Sequence, residues 1–153
     1  MNKTDVLKQI VIKKKERIII AKQNLSEEDL KTKIQNLSAT RNFREAISRP
    51  RQISLIAEIK KASPLKGVIR ADFNPQEIAK VYRDAGASAV SVLTEEDFFQ
   101  GNLSYINEVR SVVDLPILRK DFILEPYQIW ESRFFGADAI LLIADLLSTE
   151  KLL

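Results

Sequence analysis

From Ile53 onward the sequence alternates short, wholly apolar runs with longer segments of helical character, and few folds accept that pattern. The apolar runs lie at about residues 53–60, 89–94, 116–120 and 138–144, and include AVSVL, PILR and AILLI. Strands this apolar are those covered on both faces. Between them, helices are predicted near 75–85 (after Asn74-Pro75), 102–113 and 126–135 (Pro126 at the start), and another begins at Ser148. Such alternation gives right-handed βαβ units and a parallel sheet, so the fold class is α/β. An internal echo agrees with this. GASAVSVLTE (86–95) and GADAILLIAD (136–145) each predict a helix ended by Gly, a tight turn and a buried strand.

Residues 1–52 differ in kind. Thr4 is read as a helix cap with Asp5 in the first turn. Val6, Leu7, Ile10 and Val11 form one apolar stripe, which Ile18 to Ile20 resume after Lys13-Lys14-Lys15. Ser26 followed by Glu27, Glu28 and Asp29 starts a second helix near 27–36, and Phe43 to Ile47 forms a third, stopped by Pro50. These residues make a helical extension on a main body of residues 53–153. The extension carries 13 Lys and Arg against 6 Asp and Glu, whereas the remainder carries 11 against 15. Its lysines sit among Ile and Leu at helical spacing without interleaved aromatics. That is the pattern of a solvated helix face, not of a nucleic-acid binder. A basic region also helps attract an anionic small substrate.

Composition closes off several chemistries. The chain has no Cys, hence no disulfide or thiolate metal site, and no His, hence no Ser-His or Cys-His catalysis. Acid–base work falls to Lys, Asp, Glu or Tyr. No apolar run approaches the ~18 residues of a membrane span, and the N-terminus is too charged for a signal peptide's apolar region.

Each predicted strand ends in polar or charged residues on its C-terminal side: Glu58 and Lys60; Thr94, Glu95 and Glu96; Lys120 and Asp121; Asp145. In parallel α/β folds these ends share one face, and that face carries the chemistry. Charges at strand ends also mark where a chain meets water, and that reading serves for Glu95, Glu96 and Asp145. It does not serve for Glu58 and Lys60, which project together from a strand whose Leu55, Ile56, Ala57 and Ile59 read as interior. Arg119 and Lys120 are adjacent and therefore face opposite ways, one toward helices or solvent and the other toward the mouth. Lys120 with Glu58 is the best acid–base pair available. SPLKG (63–67) either positions a substrate or turns the chain. Phe98, Phe99 and Phe122 either line the mouth as an aromatic wall or pack in the core.

The stretches LIAEIKKASPLKGVIR, SVLTEEDFFQG and LPILRKDFILEPYQIWESRFFGADAILLIADLL, with VLKQIVIKKKE and RNFREAI before them, resemble the indole-3-glycerol phosphate synthase family. The resemblance covers essentially the whole chain. It implies a (β/α)8 (TIM) barrel of which this chain supplies the first four strands, and a cytoplasmic enzyme of tryptophan biosynthesis that uses no metal or organic cofactor. The implied substrate is a phosphorylated aromatic small molecule, 1-(2-carboxyphenylamino)-1-deoxyribulose 5-phosphate, closed to an indole with loss of carbon dioxide and water. By the same resemblance Lys120 is the general acid, Glu58 orients the lysine chemistry and Lys60 engages the anionic substrate. Ser63, Phe99, Phe122 and Leu141 are implied as substrate contacts. Leu65 departs from the family, which usually has a serine there. A whole barrel needs about 250 residues, so the family's second catalytic glutamate, a later asparagine and the phosphate-binding loops have no counterpart here. The expectation is severely impaired turnover by this chain alone. The alternative is a non-catalytic half barrel that associates with a copy of itself or with a complementary C-terminal half.

Overall fold

The computed structural model describes residues 3–152. Helix α1 (Lys3–Asn24) runs without a break through the lysine run; the expected cap at Thr4 concerns a side chain outside the described residues. Ile10, Lys14 and Ile18, four residues apart, are its buried positions, while Ile19 and Ile20 are exposed. This corrects the expectation of a wholly solvated lysine face, because Lys14 is only 4% exposed. Helix α2 (Glu27–Ile34) starts where Ser26 accepts a hydrogen bond from the Asp29 amide. Helix α3 (Phe43–Ile47) starts where Asn42 accepts one from the Glu45 amide. Ile18 and Leu30 pack on Leu124 and Tyr127 of the body, and the Tyr127 hydroxyl donates to the Leu25 carbonyl at 3.0 Å. Each such side chain, fully buried, contributes roughly 1.5–3 kcal/mol.

The body begins with β1 (Ile56–Ile59), followed by a small antiparallel hairpin of β2 (Ala62–Ser63) and β3 (Gly67–Val68). Then come α4 (Pro75–Asp84), β4 (Ala89–Leu93), α5 (Ser104–Arg110), β5 (Ile117–Lys120), α6 (Tyr127–Phe134) and β6 (Ala139–Ile140). A 3-10 turn (Ala144–Leu146) leads to α7 (Thr149–Leu152). Strands β1, β4, β5 and β6 form one parallel sheet in that order, as in the first four units of a (β/α)8 barrel. Ile59, Val90, Val92 and Ile117 pack from the sheet onto Ile78 and Ala79 of α4 and Ile106 and Val109 of α5.

The two echoing segments are built alike. Gly86 (φ 85°) and Gly136 (φ 90°) end α4 and α6 in the left-handed region. In each turn the following alanine donates back five residues, Ala87 to the Tyr82 carbonyl and Ala137 to the Ser132 carbonyl, both at 2.9 Å. The next side chain then receives the amide that opens the preceding strand segment: Ser88 from Leu55 at 3.3 Å, Asp138 from Ile117 at 2.9 Å.

The expected strand ends need correction. The first strand is shorter than 53–60, and Leu55 and Ile56, read as interior, are substantially exposed; Ile53 is fully exposed. The fourth is Ala139–Ile140 instead of 138–144. Both lie at the two edges of the sheet, where one side of the ladder has no strand partner among the described residues.

Candidate active site

Strand register decides which side chains meet. Glu58 aligns with Ser91, Ser91 with Leu118, and Leu93 with Lys120. Aligned residues of parallel neighbours share a face, and every second residue repeats it. Glu58 and Lys60 of the first strand and Lys120 of β5 therefore project together, away from the helices, at the C-terminal end of the sheet. Lys60 Nζ hydrogen-bonds Glu58 Oε1, and Lys120 Nζ stands 3.9 Å from Glu58 Oε2. Each of the three side chains keeps a third or more of its surface open. Two ammonium groups around one carboxylate leave a net positive charge, suited to an anionic ligand.

These charges line a cleft of about 240 Å³ whose walls include Phe99, Phe122, Leu93 and Ile143. The rings of Phe99 and Phe122 lie 6.3 Å apart, tilted by 39°. Five of the seven side chains singled out in the sequence thus meet in one place. The other two do not line the cleft. Ser63 sits in the hairpin, where its hydroxyl accepts from the Lys66 amide at 3.3 Å. Leu141 is half-buried just past β6, its amide donating to the Arg119 carbonyl, and Ile143 takes the wall position.

Arg119 faces the opposite way from Lys120 and is 2% exposed. Its guanidinium donates to Glu131 at 2.9 Å, Ser132 at 3.0 Å and Asp121 at 3.0 Å. Asp121 also pairs with Lys14 of α1 at 2.7 Å and accepts from Thr94 at 2.6 Å. Burial pushes the Asp121 carboxyl up, but Arg119 and Lys14 beside it, with the hydrogen bonds of Lys14 and Thr94, outweigh that and hold it at about 2. The residues on both sides of Lys120 are therefore clamped in a buried, charge-balanced network that reaches the N-terminal helix.

The reading of strand-end charges as water contacts needs a second correction. Asp145 is exposed and Glu96 pairs with Arg17, but Glu95 is fully buried. Sequence reasoning also passed over Lys14. Its signal was present: it lies four residues from both Ile10 and Ile18, on the stripe that packs.

The sequence profile of the family described as indole-3-glycerol phosphate synthase matches residues 7–153. The chain is similar to the indole-3-glycerol phosphate synthase of Rhodopirellula baltica, 47% identical over 97% of this chain and 57% of that protein. It is similar to that of Clostridium acetobutylicum, 50% identical over 93% of this chain and 54% of that protein, and to that of Carboxydothermus hydrogenoformans, 55% identical over 72% and 43%. The chain spans little more than half the length of the first two. With a profile match over nearly every residue and a parallel sheet of four βα units, the chain belongs to the indole-3-glycerol phosphate synthase family and forms part of its TIM barrel.

Proposed function

We propose that the cleft is the N-terminal half of an indole-3-glycerol phosphate synthase site, acting on 1-(2-carboxyphenylamino)-1-deoxyribulose 5-phosphate in tryptophan biosynthesis. The observation that carries this reading is the Lys60–Glu58–Lys120 cluster set between Phe99 and Phe122. In the proposed reaction the ring carbon bearing the carboxylate attacks the ketone carbon, and Lys120 donates a proton to the ketone oxygen. The carboxylate leaves as carbon dioxide and the ring electrons are restored; the new hydroxyl then takes up a proton and departs as water, and the adjacent carbon, bonded to nitrogen, gives up a proton to form the indole double bond. Glu58 holds both ammonium groups toward the substrate, and Lys60 supplies the positive charge that draws its anionic groups. Phe99 and Phe122 flank the ring, with Ser63 and Leu141 as contacts made once the substrate is bound. Phosphate binding falls to later strands of the barrel.

The test is steady-state kinetics on the chain combined with a C-terminal half barrel of a related synthase. Lys120→Ala is expected to lower kcat by roughly 10²–10⁴-fold, the usual share of a general acid. Phe122→Leu is expected to act mainly on KM. Unchanged kcat in Lys120→Ala contradicts the assignment.

A second reading has its own observation. Ile53, Leu55 and Ile56 at one sheet edge and Leu142 at the other are exposed. We infer that this apolar rim is covered by further βα units, from a complementary half or a second copy, whether or not the assembly turns over substrate.

A further inference from the structure

Glu95 carries a negative charge into the interior, with no ion-pair partner among the described residues. Its carboxylate is instead filled by backbone amides of the loop that follows. Oε2 accepts from Phe98 N at 2.7 Å and from Phe99 N at 3.0 Å, and Oε1 accepts from Asp97 N at 3.2 Å. The loop then closes on the same residue, because Gly101 N donates to the Glu95 carbonyl at 2.7 Å. Closure requires a tight path. Gln100 adopts φ 50°, and a Cβ on Gly101 would lie 2.6 Å from the Leu93 carbonyl oxygen. Phe99 comes out of this loop with its ring in the wall of the cleft and its carbonyl accepting from Ala62 N at 3.2 Å.

We propose that Glu95 is a positioning residue: the loop Glu95–Gly101 is moulded around its carboxylate, which holds Phe99 against the bound aromatic ring. The substrate part of this inference rests on the reading of the cleft given above. Three amides converging on one carboxylate make charge-assisted hydrogen bonds, about twice as strong as neutral ones. In a segment with no strand or helix of its own, Arg17 fixes the side chains of Glu96 and Asp97 from outside, and the Glu95 carboxylate fixes the backbone amides from within. A shorter or neutral side chain leaves the loop intact as a chain but unanchored. Glu95 touches no part of the cleft itself, so its effect passes through Phe99.

The test is 19F NMR on this chain with 4-fluorophenylalanine at position 99, and at position 122 in a parallel sample. In the unsubstituted chain the label at 99 is expected to give a dispersed resonance that moves on titration with 2-aminobenzoate. Glu95→Gln turns one acceptor oxygen into a donor facing the amides. It is expected to move the position-99 resonance toward the free amino acid and to weaken 2-aminobenzoate about tenfold, the scale of one lost aromatic contact. Position 122 is expected to stay where it is. In a Phe99→Leu chain, Glu95→Gln is expected to change affinity no further. A position-99 resonance unmoved by Glu95→Gln overturns the proposal, as does an affinity loss that adds in full to that of Phe99→Leu. Hydrogen exchange on the unsubstituted chain needs no variant: Phe98 and Phe99 amides are expected to be protected like strand amides, and fast exchange there also overturns it. A chain that ignores 2-aminobenzoate yet releases Phe99 on Glu95→Gln upholds the positioning role and contradicts the reading of the cleft.

Discussion

Asp121 and Lys120 are neighbours with opposite fates: one points into a cleft, the other into a buried network. Asp121 titrates at about 2 in the fold against an ordinary 3.8, so the folded state binds its proton more weakly than the unfolded chain does. Its contribution is complete above the unfolded value and is lost as pH falls through about 2. The shift corresponds to about 2 kcal/mol. Urea unfolding is expected to weaken between pH 4 and pH 2, and the same titration in Asp121→Asn is expected to be flatter across that window. Lys14→Ala removes one partner of this buried pair and is expected to destabilise by about 3–5 kcal/mol, read as a lower urea midpoint. At this scale the sequence revealed Glu58 and Lys60, because spacing of two on a strand fixes a shared face. It concealed Glu95, because a carboxylate satisfied by backbone amides leaves no partner residue to read.

Elements were legible where local chemistry sets their ends. Helix α3 spans the expected Phe43–Ile47 and stops before Pro50, and α4 starts at the Asn74-Pro75 signal. Strand ends at the sheet edges were not legible, because pairing partners and not local propensity decide how far a strand runs. The hairpin of β2 and β3 was hidden for the same reason: four residues paired across a turn carry no period. Glycine substitutions separate the two kinds of constraint. Gly86→Ala meets no atom within 4 Å and strains only the backbone at φ 85°, while Gly101→Ala drives a methyl into the Leu93 carbonyl. Gly101→Ala is therefore expected to lower the thermal midpoint more than Gly86→Ala, and the reverse order in calorimetry contradicts the close approach described here.

For the molecule as a whole, the sheet of four parallel strands has β1 and β6 as edges without a further strand among the described residues, and the candidate side chains Glu58 and Lys120 sit on the face away from the helices. The α/β class was legible from strand–helix alternation, and the assignment to a barrel came from family motifs, since four βα units fit more than one parallel architecture. Native mass spectrometry is expected to find the chain associated if a second copy covers the rim, with Leu55→Asp shifting it toward monomer; a monomer at all concentrations contradicts the second copy and leaves the complementary half as the cover. The central claim is that this face holds half of a synthase site. Its most direct test is indole-3-glycerol phosphate formation, followed by fluorescence, in the chain alone, in the chain with a C-terminal half barrel of a related synthase, and in that mixture with Lys120→Ala. Turnover confined to the mixture and lost with Lys120→Ala is the predicted result; silence in all three, with the halves folded and associated, would contradict it.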